Sequence, residues 1–325
     1  MRDFLSVRCA LAALCAIQRP PSVWLPSFFC GSLREPFVQA GVPIRYYGID
    51  GDLHLSATGW ISEIRAGDMV LVIHYFGFPN TSFPAESVST KGALIVEDAS
   101  QALFLRRQFR ESACILYSPR KFLGVPDSGI MVSETEIGAE LAPMQEPPPA
   151  WWNSALAMTM QRRDFDLSGR PTDWYRLFQL VESTFPLGPY RASDLSLSLI
   201  SAADYDSIRT IRRANYERLL ETAGEYALFP DLEPDVAPLG FPVRVNPEIR
   251  DRVLKQLHAA RIYAPVHWPI EGIVPHSFRS SHDLALSSLT LLCDQRCTLR
   301  DMDRQASVFL DAVAVHSSRI SRREP

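Results

Sequence analysis

From residue 22 to about residue 133, short runs that are apolar on both faces alternate with polar, helix-compatible stretches. The runs fall at 23–25, 43–47, 69–75, 93–96, 114–117 and 129–132. A run with no polar face predicts a strand covered on both sides, so the six together predict a mostly parallel sheet flanked by helices. After residue 134 the texture changes. A proline break at 147–149 leads into helical patterns over 151–182 and 195–226. In the second pattern Ile208, Ile211, Tyr216, Leu219 and Leu220 share a face, which leaves Arg209, Arg212, Arg213 and Glu217 to solvent. Beyond it an extended run at 241–245, a helix over 249–260, an extended run at 263–268 and a last helix over 298–315 predict a smaller α/β unit. The expected organisation is a large domain over residues 1–190, then a connecting helix and a small C-terminal domain over residues 191–325.

The first 17 residues hold an arginine, an apolar run and small residues, in the outline of a secretory signal. Arg8 interrupts that run. A helix entered from a turn at Ser6, with Leu5, Cys9, Leu11, Ala12 and Cys15 on one side, survives the interruption and is the favoured reading. No apolar run is long enough to span a bilayer, so a soluble cytoplasmic protein without a membrane partner is expected.

Composition narrows the function by exclusion. The chain has 325 residues, 46% hydrophobic and 22% charged, enough to bury a large core. A formal net charge of -4, a pI near 6.0 and the lack of a basic stripe argue against nucleic acid. The six cysteines lie far apart in a chain too large to need cross-links, which fits reduced thiols. Cys293 and Cys297 have no matching second pair, and no metal site is expected.

In an open α/β sheet, ligands bind outside the carboxyl ends of the strands, so polar residues just after apolar runs carry the functional information. Three such places stand out: His74 to Gly77, Glu97 to Gln101 and Ser118 to Lys121. The chain has three lysines, Lys91, Lys121 and Lys255, and only Lys121 follows a strand, a serine and a proline. A lysine in that position suits a cofactor held as a Schiff base. Pyridoxal 5'-phosphate (PLP) needs such a lysine, a carboxylate against its pyridine nitrogen and donors for its phosphate. Lys121, Asp98 and Ser118 meet those needs from neighbouring strand ends, and a helix N-terminus near Ser6 offers backbone N–H groups to an anion. Asp98 reads equally well as a helix N-cap. His74, His267 and Asp294 read as hydrogen-bonded wall residues, and Tyr75 and Phe76 as packing.

Taken together these residues resemble the DegT/DnrJ/StrS aminotransferases, PLP enzymes of fold type I that act mostly on nucleotide-linked keto-sugars. The segment from Leu5 to Leu11 is similar to the family's Ser/Thr-Gly-x-x-Ala-Leu phosphate turn. Pro26-Ser27 through Asp50, His74-Tyr75-Phe76-Gly77, Glu97-Asp98-Ala99-Ser100-Gln101-Ala102, Ser118-Pro119-Arg120-Lys121 through Gly129, His267-Trp268-Pro269 and Cys293 to Arg296 follow in the family's order. The resemblance implies that Lys121 binds the cofactor and moves a proton between substrate and cofactor carbons, and that Asp98 pairs with the pyridine nitrogen. It implies further that Gln101 lies beside the ring, that Ser6 and Ser118 help hold the phosphate, and that the enzyme is a homodimer. Its expected reaction passes an amino group from glutamate to a keto-sugar nucleotide, for amino-sugar, polysaccharide or natural-product biosynthesis.

Several positions depart from the family pattern. Val7 replaces the glycine of the phosphate turn, Cys30 falls where a ring-stacking aromatic is expected with Phe28 or Phe29 as substitutes, and Leu116 replaces a serine. Pro189 stands in a stretch that lacks the asparagine lent to the other subunit, and Ser128-Gly129 replaces a Gly-Gly pair. The chain also reads as shortened, without the family's N-terminal arm. These departures keep a catalytically weak or inactive scaffold paralogue as the alternative. A dehydratase would carry histidine in place of Lys121, and a nicotinamide enzyme would show a Gly-x-Gly-x-x-Gly turn after a strand.

Overall fold

A computed structural model of the protein describes residues 1–133 and 144–321. Its first half runs β1 (Arg2–Phe4), α1 (Val7–Gln18), β2 (Val23–Pro26), α2 (Glu35–Gln39), β3 (Ile44–Tyr47), β4 (Met69–Ile73), α3 (Ala85–Ser89), β5 (Leu94–Ala99), β6 (Ser112–Tyr117) and β7 (Gly129–Val132). The seven strands form one sheet in the order β1-β7-β6-β5-β4-β2-β3. From β6 through β5, β4 and β2 to β3 every pairing is parallel, while β7 runs antiparallel to both β6 and β1. All six apolar runs read from the sequence therefore become strands. Every residue of β4 is buried, as a strand with parallel partners on each edge and cover on both faces requires.

The helix expected from a Ser6 turn forms. Ser6 is extended, and its hydroxyl accepts a hydrogen bond from the Cys9 N–H at 3.2 Å, satisfying one of the orphan donors of α1. Its apolar face packs into the core through Val7, Cys9, Leu11 and Leu14.

The second half runs α4 (Pro149–Ser168), α5 (Trp174–Ser183), α6 (Asp194–Ser201), α7 (Tyr205–Ala223), β8 (Phe241–Arg244), α8 (Pro247–Ala259), α9 (Arg279–Ser287), β9 (Ser288–Leu291) and α10 (Leu299–Ser321). Each of the two long helical patterns is in fact a pair. Gly169, at φ 66°, ends α4 in a left-handed cap. Ser193 caps α6 by accepting from the Ser196 N–H, and Asp204 caps α7 by accepting from the Ser207 N–H.

Two expectations are corrected here. The stretch 263–268 is not a strand; β8 pairs antiparallel with β9 instead. Pro265 and Pro269 have no N–H to give a ladder, and Pro265 contributes only its carbonyl, to the Thr290 N–H at 2.9 Å. Arg212, expected in solvent, is 2% exposed. Its guanidinium donates to the carbonyls of Pro238 and Leu239, both at 3.0 Å, and to the side-chain oxygen of Gln295 at 2.8 Å, and it lies over the Phe122 ring at 4.6 Å. A side chain with five donors is tolerated inside when acceptors and a ring face surround it. The small unit is thereby anchored to the residue that follows Lys121. No helix among the described residues is long and apolar enough to cross a membrane.

Candidate active site

Because β4, β5 and β6 run parallel, the residues that leave them at His74, Asp98 and Ser118 emerge on one edge of the sheet. A cavity of about 140 Å³ opens there. Ser6, Asp98, Gln101, Ser118 and Lys121, spread over more than a hundred residues of sequence, all line it.

Each of the five is positioned by its element. Asp98 sits near the end of β5, and its Oδ1 accepts from the Ser100 N–H at 2.8 Å. A turn follows it, not a helix, so its carboxylate faces the cavity and does not serve as a helix N-cap. Gln101 is held through its side-chain oxygen, which accepts from the Phe76 N–H at 2.9 Å. Ser118 opens a short 3-10 turn whose first bond runs from the Lys121 N–H to the Ser118 carbonyl at 3.1 Å. That turn brings the lysine round to the cavity wall beside the serine. Ser6 and Val7 supply the N-terminus of α1, where unpaired backbone N–H groups and the helix dipole favour an anion.

That N-terminus is packed directly against the sheet. A Cβ on Gly129 would fall 2.2 Å from the Ser6 carbonyl carbon and 2.3 Å from the Val7 nitrogen. Glycine at the start of β7 is what lets the helix start approach the sheet so closely. Val7 is accommodated as a buried wall residue.

Beside this turn lies a charged cluster that sequence reading missed. Arg8 is 8% exposed and pairs with Glu35 at 2.9 Å and Glu182 at 3.1 Å, with its guanidinium stacked 3.7 Å from the centre of the Phe185 ring. Arg120 also pairs with Glu182. Burial pushes the Glu182 carboxyl up, but Arg120 and then Arg8 outweigh it and hold it below its ordinary range. The charged groups in the cavity wall are Arg8, Arg120 and Lys121 against Asp98 and Glu182, an excess of one positive charge.

The aromatic in the wall is Trp268, not Phe28 or Phe29. Both phenylalanines are buried behind it, Phe28 against Trp268 at 5.3 Å and Phe29 against Tyr46 at 6.0 Å. Cys30 does line the cavity, and its thiol lies 3.2 Å from the Ser32 hydroxyl.

His74 is a hydrogen-bonded structural residue, as read from the sequence, but it is fully buried and does not line the cavity. Its Nδ1 accepts from the Asn80 N–H at 3.0 Å, so Nε2 carries the hydrogen and donates to Glu97 at 2.9 Å. Glu97 is completely buried and also accepts from the Ser112 hydroxyl and the Gln108 and Phe109 N–H groups. Phe76, in the loop that His74 begins, has φ 55°, an uncommon value for a bulky residue. Both sides of its peptide are engaged, the N–H by Gln101 and the carbonyl by the Leu239 N–H at 2.8 Å. Gly77 follows at φ 104°, and a Cβ there would meet the Ala237 carbonyl oxygen at 2.6 Å. His267 shares a hydrogen bond with Thr290 at 2.9 Å. Burial, and next the charge of Lys121, push it down to about 3, so its ring is neutral at neutral pH.

Asp294 is also structural. It is held by Arg296 at 2.8 Å, while Asn215 ties the carbonyls of Cys293, Asp294 and Cys297 together ahead of α10.

No protein-family model and no curated protein matches the chain. Solved structures do. The aminotransferase TlmJ from Streptoalloteichus hindustanus shares 17% identity at a TM-score of 0.70, over 97% of this chain and 86% of that one. Spr1654 from Streptococcus pneumoniae in its PLP form shares 13% at 0.69, over 96% and 86%. A DegT DnrJ EryC1 StrS aminotransferase from Brucella abortus shares 16% at 0.64, over 96% and 85%. Likeness at these identities establishes the fold. The chain has the fold-type I PLP-transferase architecture expected from its sequence, a mixed seven-stranded sheet flanked by helices with a small α/β unit behind it.

Proposed function

We propose that the protein is a PLP-dependent aminotransferase that passes an amino group from glutamate to a keto-sugar nucleotide, working as a homodimer whose large PLP-binding domain spans residues 1–190. The observation that carries this reading is the convergence of Lys121, Asp98, Gln101, Ser118 and Ser6 on one cavity at the carboxyl edge of the sheet. The names of the structural neighbours point the same way.

The donor set fits the cofactor. The α1 N-terminus, held in place by its close packing over Gly129, and the positive excess in the wall suit a phosphate dianion. Ser6 and Ser118 would add their hydroxyls to it. Asp98, 6% exposed, would hold a proton on the pyridine nitrogen, because a carboxylate in a sheltered site stabilises an adjacent N–H⁺ far more than water does. Gln101, fixed by the Phe76 N–H, would sit beside the ring. When bound, PLP supplies the electron sink that stabilises negative charge on the carbon bearing the amine.

Lys121 would hold the cofactor through Nζ and, once displaced by the amino donor, carry the proton that leaves the donor carbon. His267, neutral, tied to Thr290 and packed against Phe76 and Trp268, would support the Trp268 side of the cavity and take no part in the proton transfer. Trp268 would cover one side of the cavity and limit water access.

The test is spectroscopic. Purified protein is mixed with PLP, reduced with borohydride and mapped by mass spectrometry, for the wild type and for Lys121→Ala. The expected result is a visible absorbance band, lost on reduction, with the label on Lys121. Absence of the band in folded wild-type protein, or labelling that survives in Lys121→Ala, would sink the proposal. With the band in hand, a panel of nucleotide-linked keto-sugars and glutamate tests the acceptor and the donor.

A further inference from the structure

Away from the cavity, the loop that follows Trp268 and the middle of α9 bring Glu271, His276 and His282 together. Glu271 Oε1 lies 3.3 Å from His276 Nε2, and Glu271 Oε2 lies 3.7 Å from His282 Nδ1. One ligand atom from each of the three falls within 4.8 Å of the others. The two imidazoles stack with centroids 4.9 Å apart and planes inclined by 27°.

The far nitrogen of His282 decides what this cluster can do. Nε2 lies 3.2 Å from the Val274 carbonyl oxygen. A carbonyl only accepts, so Nε2 carries the hydrogen, and in the neutral ring Nδ1 turns its lone pair toward the Glu271 carboxylate. Two electron-rich atoms facing each other repel unless a proton or a metal cation lies between them. An imidazole fixed through its far N–H by a backbone carbonyl is also how proteins orient a histidine that ligates a metal. A tetrahedral ion with nitrogen and oxygen ligands at about 2.05 Å sets them about 3.3 Å apart; the Glu271–His276 pair is at that spacing, and the others, at 3.7 Å and within 4.8 Å, would draw in on binding through the exposed Glu271 and His276 side chains.

We propose that Glu271, His276 and His282 form a binding site for a divalent transition metal of the zinc type, with one further position open to solvent. Two imidazoles and one carboxylate suit Zn²⁺ better than Mg²⁺ or Ca²⁺, which favour oxygen ligands. Glu271 and His276 are largely exposed, which gives the ion access, while His282 is 14% exposed at its side chain and forms the fixed wall. The sequence predicts no metal site, because Glu-x4-His-x5-His crosses from a loop into a helix and the spacing follows no single element.

The ion would join the 271–276 loop to α9. That loop leads out of Trp268 in the cavity wall, and the Ile273 carbonyl accepts from the Tyr46 hydroxyl at 3.1 Å. The Ile273 side chain also closes on Gly31, where a Cβ would meet its Cδ1 at 2.9 Å. Metal binding would therefore steady the Trp268 side of the cavity from outside it. The site stands on its own geometry, whatever reaction the cavity performs.

The experiment uses full-length protein stripped with a chelator and titrated with Zn²⁺ by calorimetry, with the visible spectrum of added Co²⁺ as a second readout. The expected result is saturable binding of one ion per chain, weakened at least about tenfold in His276→Ala and in Glu271→Gln, with loss of the tetrahedral Co²⁺ bands. Both residues are exposed, so circular dichroism of the variants should match the wild type. Absence of binding to the wild type would overturn the proposal. So would equal affinity in the wild type and both variants, which would move the ion to another part of the chain.

Discussion

Ser128→Gly should make the protein more stable, although Ser128 is fully buried. Its φ is 125°, a region that residues with a Cβ rarely enter. Holding a non-glycine residue there costs on the order of 1–3 kcal/mol. The serine hydroxyl finds no hydrogen-bond partner among the described residues, and an unpaired buried hydroxyl costs about 1–3 kcal/mol more. Glycine gives back roughly 0.5–1 kcal/mol through its greater freedom in the unfolded chain, and some packing is lost with the Cβ. The net expectation is a gain of about 1–2 kcal/mol, or ~1.5–3 °C in Tm for a chain of this size. Urea unfolding and scanning calorimetry measure it. Ser128→Ala separates the two causes, since it removes the hydroxyl and keeps the Cβ, and should recover only part of the gain. A glycine variant no more stable than the wild type would refute the reasoning, and an alanine variant equal to the glycine one would refute the backbone part of it.

Gly129→Ala should act in the opposite sense, because its Cβ would meet backbone atoms of Ser6 and Val7 that cannot swing away. A loss of about 3 kcal/mol or more in urea unfolding is expected, together with loss of PLP absorbance, and wild-type stability would contradict it. Ionised Glu182, held below the ordinary glutamate value of 4.5, adds stability that is complete above that pH and disappears as pH falls through its lowered folded value. Glu182→Gln should therefore flatten the acid side of the stability profile below pH 4.5, and an unchanged acid limb would count against the Arg8 and Arg120 pairings. Arg212→Met should cost about 3 kcal/mol, since it strips partners from Pro238, Leu239 and Gln295 in the interior; a loss under about 1 kcal/mol would show that those bonds matter little.

What the sequence discloses and what it hides divides by the range of the interaction. The six strands β2 to β7 are legible because their runs are mostly apolar, a signal carried within a few consecutive residues. β1 is not, since Arg2 and Asp3 give three residues no apolar pattern and only the pairing with β7 makes them a strand. Lys121 and Asp98 are legible because strand ends concentrate chemistry and the chain has few lysines. The Arg8 cluster is hidden, since its partners lie 27 and 174 residues away and nothing local marks Glu35 or Glu182 as facing it. Arg212 misleads for the same reason: a helical pattern assigns charged residues to water, and the acceptors that draw this one inside come from 238–239 and 295. Trp268 is visible as part of a motif, but its place in the cavity wall depends on a segment that reads as extended and that its prolines keep out of any sheet.

The Phe76 peptide links the cavity to the part of the chain that is synthesised late. Its N–H holds Gln101 in the cavity wall, while its carbonyl is held by Leu239, more than 160 residues further on, and Gly77 is bare so that Ala237 can come up against it. A chain halted on the ribosome before Leu239 would already contain Ser6, Asp98, Gln101, Ser118 and Lys121, and the sheet that carries them. It would lack the clasp on the left-handed turn at Phe76 that keeps Gln101 in place. Completion of the pocket is therefore tied to completion of the polypeptide: a chain halted there holds those five side chains but neither the clasp at Phe76 nor Trp268, which closes the wall.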